Sequence, residues 1–361
     1  MPLAVTKTVF GTVTDQNVNI RQLAKLSGVS VGTVSRALNG YSDVRPETRE
    51  RIMRLARELD YTPAAAARAL STRRSHVLGV FLDTGEGHPD LRHPFFHEVL
   101  DSLKAAVGRA GYDLLLFASE RPGNGYGPHS YLKRCRHHNV EGTVLMGVEP
   151  DDPEVQRLIR SDLPAVGVDL VMDGPRKCAV MSDNVEGARQ AVAHLHALGH
   201  RRIATVTGLM DTRPGADRLR GYRDALRDLG LGFRDEYVAY GDFYAEAGHA
   251  AAAALLALEE PPTAIFAASD MMALGVVAAA AERGVRVPDD LSVVGFDDMQ
   301  LVGLVQPPLT TVRQDKAGLG AAAAHALLAL IDEEAEDPQP TVTLPVELVE
   351  RASAAPPPAT T

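Results

Sequence analysis

Residues 18–38 read VNIRQLAKLSGVSVGTVSRAL, and this stretch predicts two short helices joined by a tight turn. Asn19 is placed to cap the first helix, and Gln22 three residues later completes a capping box. Gly28 breaks that helix, and Ser30 is a natural N-cap for the second. This arrangement is typical of the helix-turn-helix, whose second helix enters the major groove of DNA. The alternative is an ordinary helical hairpin inside a core.

The charge distribution separates a short basic segment from a long acidic one. The whole chain of 361 residues has a formal net charge of −10. Residues 1–75 contain 12 Lys and Arg against 6 Asp and Glu, and the remainder contains 25 against 41. A basic segment ahead of an acidic body predicts that any nucleic-acid contact is confined to the first part.

Cysteine content and hydropathy indicate a cytoplasmic protein without membrane contact. Cys135 and Cys178 are the two cysteines, too few for a disulfide framework and consistent with a reducing compartment. Residues 1–18 lack the basic start and apolar run of a signal peptide. No apolar stretch approaches the length of a membrane span.

From His76 onward, apolar strand-like runs alternate with amphipathic helices. Such alternation predicts parallel sheets with helices on both faces, and the two series of strands predict two doubly wound subdomains. The expected fold class is therefore a small all-α helix-turn-helix domain followed by an α/β body. Ligands of such folds bind beyond the carboxyl ends of the strands, here in the cleft between the subdomains.

The predicted boundaries follow from these changes of pattern. They are a flexible arm over 1–17, a helix-turn-helix domain over 18–62, a hinge helix or linker over 63–75, a ligand-binding body over 76–350 and a disordered tail over 351–361. Within the body, we expect an N-subdomain of about 76–180 plus 311–340 and a C-subdomain of about 181–310 plus 341–350.

Several motifs occur in order along the chain. The pattern VxxxxGVSxxTVSRxLN, with local variation, spans Val18–Asn39, and VRPETRERIMRLARELDYTP and AAAARAL follow it. The body contains HPFFHEVL, LGHRRIATVTG, RLRGY, PTAIFAASDMMALG, RVPDDLSVVGFDD and PPLTTVRQD. Together these motifs make the chain resemble the LacI/GalR family of bacterial transcriptional regulators, from about residue 18 to 350.

The resemblance implies a sequence-specific regulator, expected to be a repressor of a carbohydrate-utilisation operon. A homodimer would bind a near-palindromic double-stranded operator, and a small-molecule effector, expected to be a sugar, would control it. The body would be an effector-binding domain with the type I fold of periplasmic binding proteins. The alternative is a regulator that responds to a purine or nucleoside as corepressor.

Residues of the second helix are the expected DNA contacts. Arg36 can bond O6 and N7 of guanine together, and the alternative for it is a phosphate contact. Val31 and Gly32 occupy the start of the recognition helix, where the family varies to change operator. The remaining polar candidates have side chains suited to phosphate oxygens: Ser30, Thr33, Ser35 and Asn39.

The AAAARAL segment matches the family's hinge, and Leu70 matches its hinge leucine. In the family, two such leucines from paired hinge helices enter the minor groove and open a central base step. The alternative is that Leu70 begins the core of the body.

The expected effector contacts lie at strand ends and helix starts. Asp270 and Arg218 match positions that contact ligand in the family, and a carboxylate and a guanidinium can hold neighbouring hydroxyls. The alternative for this pair is a structural ion pair. The other candidates are Phe95, Phe96, Phe243, Asp169, Gln314 and Asp83. His93 could reach the ligand, but we expect it to be a surface-loop histidine.

We expect no metal, no cofactor and no enzymatic activity. His194 and His196 lie two residues apart on a helix and cannot face one metal well, although His200 is near in sequence. Gly318-Leu319-Gly320 lacks the preceding strand of a dinucleotide-binding turn. No nucleophile, base and acid occur in a recognisable catalytic arrangement.

Overall fold

The computed structural model describes residues 18–61, 74–82, 91–118, 130–332 and 339–358. The chain divides into two compact units, Met1–Ser75 and His76–Thr361. The predicted arm over 1–17, most of the predicted hinge, Leu70 and Asp83 lie outside the described residues.

The described part of the first unit contains three helices, α1 (Ile20–Ser27), α2 (Val31–Leu38) and α3 (Pro46–Glu58). The capping box forms as predicted: the Asn19 amide donates to Gln22 Oε1 at 2.8 Å, and the Gln22 amide donates to Asn19 Oδ1 at 3.0 Å. The apolar faces of the three helices meet in one small core: Leu23, Ala24, Val34, Ala37, Val44, Ile52 and Ala56.

Over its described residues, the second unit contains two six-stranded sheets with helices between the strands. The strands are β1 (Val77–Leu82), β2 (Asp113–Phe117), β3 (Gly142–Met146), β4 (Ala165–Val168), β5 (Lys177–Ser182), β6 (Ile203–Thr207), β7 (Val238–Tyr240), β8 (Ala264–Ala267), β9 (Ser292–Asp297), β10 (Thr310–Gln314), β11 (Thr341–Leu344) and β12 (Val346–Val349). The helices are α4 (Pro94–Arg109), α5 (Tyr131–His137), α6 (Pro153–Ile159), α7 (Asn184–Ala197), α8 (Arg213–Asp228), α9 (Ala245–Leu255), α10 (Asp270–Glu282) and α11 (Lys316–Ile331).

The first sheet has the order β11-β5-β4-β3-β1-β2 and is parallel throughout. The second has the order β12-β10-β9-β8-β6-β7, and only its edge strand β12 is antiparallel. Separate apolar clusters cover the two faces of each sheet. The prediction of two doubly wound subdomains is confirmed. We call the first sheet with its helices the N-subdomain and the second the C-subdomain.

The chain passes between the subdomains at three points, and two of the predicted boundaries were wrong. We expected residues 311–340 in the N-subdomain; α11 does pack there, but β10 pairs with β9 in the second sheet. We expected residues 341–350 in the C-subdomain; β12 does pair with β10 there, but β11 pairs with β5 in the first sheet. The crossings therefore follow β5, β10 and β11. Periodicity identifies a strand, whereas its sheet depends on long-range pairing.

The tail is ordered over residues 351–358, contrary to the predicted disorder. Ser353 is buried and donates from Oγ to the Val293 carbonyl at 2.6 Å. The Ala355 carbonyl accepts from His200 Nε2 at 2.9 Å. A proline-rich composition disfavours regular structure, but it does not prevent packing where the polar groups find partners. Among the described residues, no helix is both long and apolar enough to cross a membrane.

Candidate DNA-reading helix and effector cleft

The second helix of the first unit presents an exposed, hydrophilic face. Ser30 caps it by accepting from the Thr33 amide at 3.1 Å, and the two hydroxyls lie 2.9 Å apart. Val31 and Gly32 are exposed at its start, while Val34 is buried in the core. This end of α2 is therefore open to a partner without disturbing the core.

Arg36 extends from the same helix and forms an ion pair with Asp43. The pair measures 3.1 Å from Nη1 to Oδ2, and both side chains are more than half exposed. Such a pair is weak in water, so the guanidinium can exchange it for a base or phosphate. Ser35 and Asn39 are half-buried, and Asn39 Nδ2 donates to Ser35 Oγ at 3.4 Å. These two side chains are less available for DNA than the sequence predicts.

The second unit contains a cleft at the carboxyl ends of both sheets. Six of the predicted effector residues line it: Phe95, Phe96, Asp169, Arg218, Phe243 and Gln314. Phe95, Phe96 and Asp169 belong to the N-subdomain. Arg218, Phe243 and Gln314 belong to the C-subdomain, where Gln314 lies at the end of β10. We call this space the effector cleft. It occupies the place where doubly wound folds bind ligands.

Arg218 is held in place by the protein on several sides. It is 3% exposed, and its Nε donates to Asn184 Oδ1 at 2.8 Å. Its Nη1 donates to the Ala268 carbonyl at 2.6 Å and lies 3.7 Å from Asp297 Oδ1. The guanidinium also lies 3.8 Å from the centre of the Phe296 ring. The side chain is therefore oriented before any ligand arrives.

Asp297 is the carboxylate that the sequence analysis missed. It ends β9, is 2% exposed and lines the effector cleft. Its Oδ1 accepts from Gln314 Nε2 at 2.7 Å, whereas its Oδ2 has no partner among the described residues. The backbone has φ of 122°, which is unusual for a residue with a side chain. The run LSVVGFD ending in a carboxylate is the sequence signal that could have identified it.

Asp270, in contrast, is not a lining residue of the cleft. It is fully buried, and its Oδ1 accepts from Thr311 Oγ1 at 2.5 Å. Its Oδ2 accepts from the Met299 amide at 2.8 Å. Burial, and next the charge of Asp297, raise the pKa of this carboxyl well above its usual range. The prediction that Asp270 contacts the effector was wrong, since both oxygens serve the interior of the C-subdomain.

Asp169 follows β4 and approaches the cleft from the N-subdomain. Its φ of 55° is a conformation that aspartate and asparagine tolerate better than most residues. Its Oδ1 is shielded from solvent and has no partner in the described part of the chain. Burial raises the pKa of Asp169 to about 6, although the charge of Arg218 opposes the rise. The carboxyl therefore changes charge near neutral pH.

His93 is a buried lining residue and not the surface-loop histidine that we expected. It is 4% exposed and sits at the N-cap of α4, yet its side chain makes no cap hydrogen bond. Its ring lies edge-on to Tyr244 of the C-subdomain, and neither ring nitrogen makes a hydrogen bond of normal geometry. Burial lowers its pKa, against the opposing charge of Asp297. The imidazole is therefore neutral at pH 7.

Phe243, which follows β7, lines the effector cleft together with the aromatic side chains of Phe95 and Phe96. Its backbone has φ of 74°, and Ser269 Oγ donates to its carbonyl at 3.0 Å. Its ring lies so close to Gly208 that a Cβ there would be 2.0 Å from the ring. Glycine at 208 is therefore required for the ring to lie against the strand.

The described residues contain no group of three or more His, Cys, Asp or Glu side chains that could hold a metal ion. His200 instead bonds Thr263 Oγ1 and Ser292 Oγ, each at 2.9 Å. His194 lies 3.8 Å from Glu350. His200 and His194 thus each interact with different side chains of the protein.

Comparisons with known proteins match parts of both units. Residues 19–64 match the lacI family of bacterial regulatory proteins, and residues 192–354 match a periplasmic binding protein-like domain. The transcriptional regulator CelR of Thermobifida fusca is 37% identical over 322 residues, which cover 88% of this chain and 93% of CelR. The chain belongs to the lacI family. The PurR repressor of Erwinia tasmaniensis is 33% identical over 342 residues, covering 93% and 96%.

Solved structures of the lacI family share the fold as well. A complex of CelR with cellobiose has a TM-score of 0.70 at 34% identity and covers 93% of this chain and 99% of its own. A lac repressor dimer bound to operator and an anti-inducer has a TM-score of 0.81 at 29% identity, covering 94% and 100%. This lacI-family protein is a DNA-binding transcriptional regulator.

Proposed function

We propose that this regulator is a homodimeric repressor of a carbohydrate-utilisation operon and that a sugar in the effector cleft controls it. The observation that carries the proposal is the pairing of aromatic walls with unpartnered hydrogen-bond acceptors in one buried space. Sugar hydroxyls donate to such acceptors, and the apolar faces of sugar rings pack against aromatic side chains. The similarity to a regulator solved with cellobiose supports the same class of ligand.

At the DNA end, we propose that α2 enters the major groove of a near-palindromic operator. Arg36 would bond a guanine, and Val31 and Gly32 would lie against base edges. The hydroxyl and amide side chains of Ser30, Thr33, Ser35 and Asn39 would contact phosphates. The similarity to a lac repressor dimer on operator supports a dimer with one half-site for each subunit. Because the target is chromosomal DNA, we place the protein in the cytoplasm.

A purine or nucleoside effector is the second candidate. Similarity to PurR repressors at 33% identity favours it, and aromatic side chains also stack on bases. In either case the cleft would bind its ligand without transforming it.

A ligand panel on the full-length protein tests the proposal. Thermal unfolding is followed with cellobiose, glucose, maltose, hypoxanthine and guanosine, and operator binding is followed by fluorescence anisotropy on the DNA upstream of the protein's own gene. A ligand at 100 times its dissociation constant adds ~2.7 kcal/mol to folding stability. We expect this shift from a sugar, with a change in operator affinity.

Two variants on one helix provide the control. Arg218→Lys keeps a cation but loses the planar fork, so the sugar-induced shift should fall sharply. Arg220→Lys, at an exposed side chain two residues later, should keep the full shift. A shift with purines alone supports the second candidate, and equal effector affinity with and without operator contradicts regulation by this ligand.

A further inference from the structure

We propose that the effector carries no negative charge, and that the cleft selects neutral or amine-bearing sugars over phosphorylated and carboxylated ones. This inference rests on the proposed sugar function and narrows it. It comes from an imbalance between hydrogen-bond acceptors and donors in the effector cleft.

The unpartnered groups of the cleft are mostly acceptors. Asp169 Oδ1, Asp297 Oδ2 and Gln314 Oε1 are all shielded from solvent and have no partner among the described residues. They belong to three different segments of the chain: Asp169 follows β4, Asp297 ends β9 and Gln314 ends β10. A buried acceptor without a partner is costly, and a ligand that donates to these atoms removes that cost.

The charges of the described lining residues point in the same direction. Asp169 and Asp297 supply two carboxylates, whereas Arg218 supplies one permanent cation. The guanidinium already donates from Nε and Nη1 to protein acceptors and lies near Asp297. A phosphate or carboxylate on the ligand would therefore face two like charges against one cation, and that cation already shares part of its donors with the protein.

His93 does not reverse this balance. Its ring is buried and neutral at pH 7, so it offers one donor and one acceptor to the ligand and no positive charge. Such a group suits a hydroxyl, which both donates and accepts. At His93, an anionic group of the ligand would gain one hydrogen bond from an uncharged N–H in exchange for its hydrogen bonds to water.

Matched pairs of ligands test the inference on the full-length protein. Isothermal titration at pH 8 compares cellobiose with cellobionate and with cellobiose 6-phosphate, and glucose with glucose 6-phosphate and glucosamine. We expect each anionic member to bind at least ~100-fold more weakly than its neutral counterpart, because juxtaposed like charges in a buried site cost several kcal/mol.

Two substitutions show whether charge is the cause. Asp169→Asn suits the same backbone conformation and removes one negative charge, so the ratio of neutral to anionic affinity should fall by about tenfold. Asp162→Asn, at a side chain 90% exposed outside the cleft, should leave the ratio unchanged. An unchanged ratio in Asp169→Asn overturns the inference.

A failure of the charge selection and a failure of the sugar function give different results in these titrations. Anionic sugars that bind as tightly as their neutral counterparts overturn the charge selection and leave the sugar function standing. If no sugar binds and a purine does, the proposed sugar function fails and the inference falls with it.

Discussion

The DNA-reading helix and the effector cleft place their functional side chains in opposite environments. Arg36 is 52% exposed and shares one weak ion pair with Asp43. Arg218 has a side chain only 4% exposed, between Asn184, Ala268 and Asp297. Arg36 is therefore solvated before it binds DNA, whereas the fold already fixes the orientation of Arg218.

The difference predicts how mutations divide between binding and stability. A change at an exposed side chain alters binding and leaves the folded state almost unaffected. A change at a buried, charged side chain alters both, because its neighbours lose their partner. The following predictions test this division, from the largest expected effect to the smallest.

Arg218→Met should lower the free energy of unfolding by about 3–5 kcal/mol, because two carboxylates then face the cleft without their cation. Denaturation in urea measures this change. Arg36→Met is the matched control and should change stability by no more than about 0.5 kcal/mol. Equal stability of the two variants would remove the proposed contrast between the sites.

Asp270→Ala should cost about 2–4 kcal/mol of stability, since the Met299 amide and the Thr311 hydroxyl lose their shared acceptor. Asp297→Asn should show the opposite pattern, with a loss of effector affinity that exceeds its loss of stability. Calorimetric unfolding and ligand titration on both variants separate the two roles. A strong loss of affinity in Asp270→Ala, measured where that variant is folded, speaks against its structural role.

Arg36→Ala should weaken operator binding by about 1–3 kcal/mol and relax the preference at one base position. Anisotropy titrations against operators substituted at each position measure this effect. A loss of equal size on every sequence indicates that Arg36 contacts a phosphate instead.

Leu70→Ala should weaken operator binding by ~1–3 kcal/mol if this leucine opens a base step. Leu70 lies outside the described residues, so its role remains a prediction from the sequence. The effector affinity of this variant, measured without operator DNA, should equal that of the unmodified protein. Unchanged operator affinity contradicts the role as a wedge.

Asp169→Asn should stabilise the ligand-free protein by about 1–2 kcal/mol at pH 8. The folded-state pKa of about 6 lies above the ordinary 3.8, so the protonated carboxyl favours folding below pH 3.8 and this contribution is lost as pH rises through 6. Asparagine has no ionisable carboxyl and avoids that loss. The difference in free energy of unfolding between the variant and the unmodified protein should therefore disappear toward pH 4. Unfolding curves at several pH values measure the trend; an advantage that grows on acidification contradicts it.

Much of the fold was readable from local sequence. The capping box of α1, the Ser30 cap of α2 and the alternation of strands and helices are short-range patterns, and the structure contains all of them. Position at a strand end also indicated Asp169 and Gln314, whereas the resemblance to the family supplied the other four lining residues, Phe95, Phe96, Arg218 and Phe243. The helix caps and strand ends depend on neighbours within a few residues, which is the range over which backbone preference and periodicity act.

The choice between Asp270 and Asp297 required the tertiary structure. Both carboxylates lie close to strand ends of the same sheet, and the sequence alone favoured the wrong one. β10 pairs beside β9, which places Thr311 against Asp270 and Gln314 against Asp297. The sheet assignments of β10 and β11, the burial of His93 and the packed tail were decided in the same way. Each depends on contacts between residues far apart in the chain, which local periodicity does not encode.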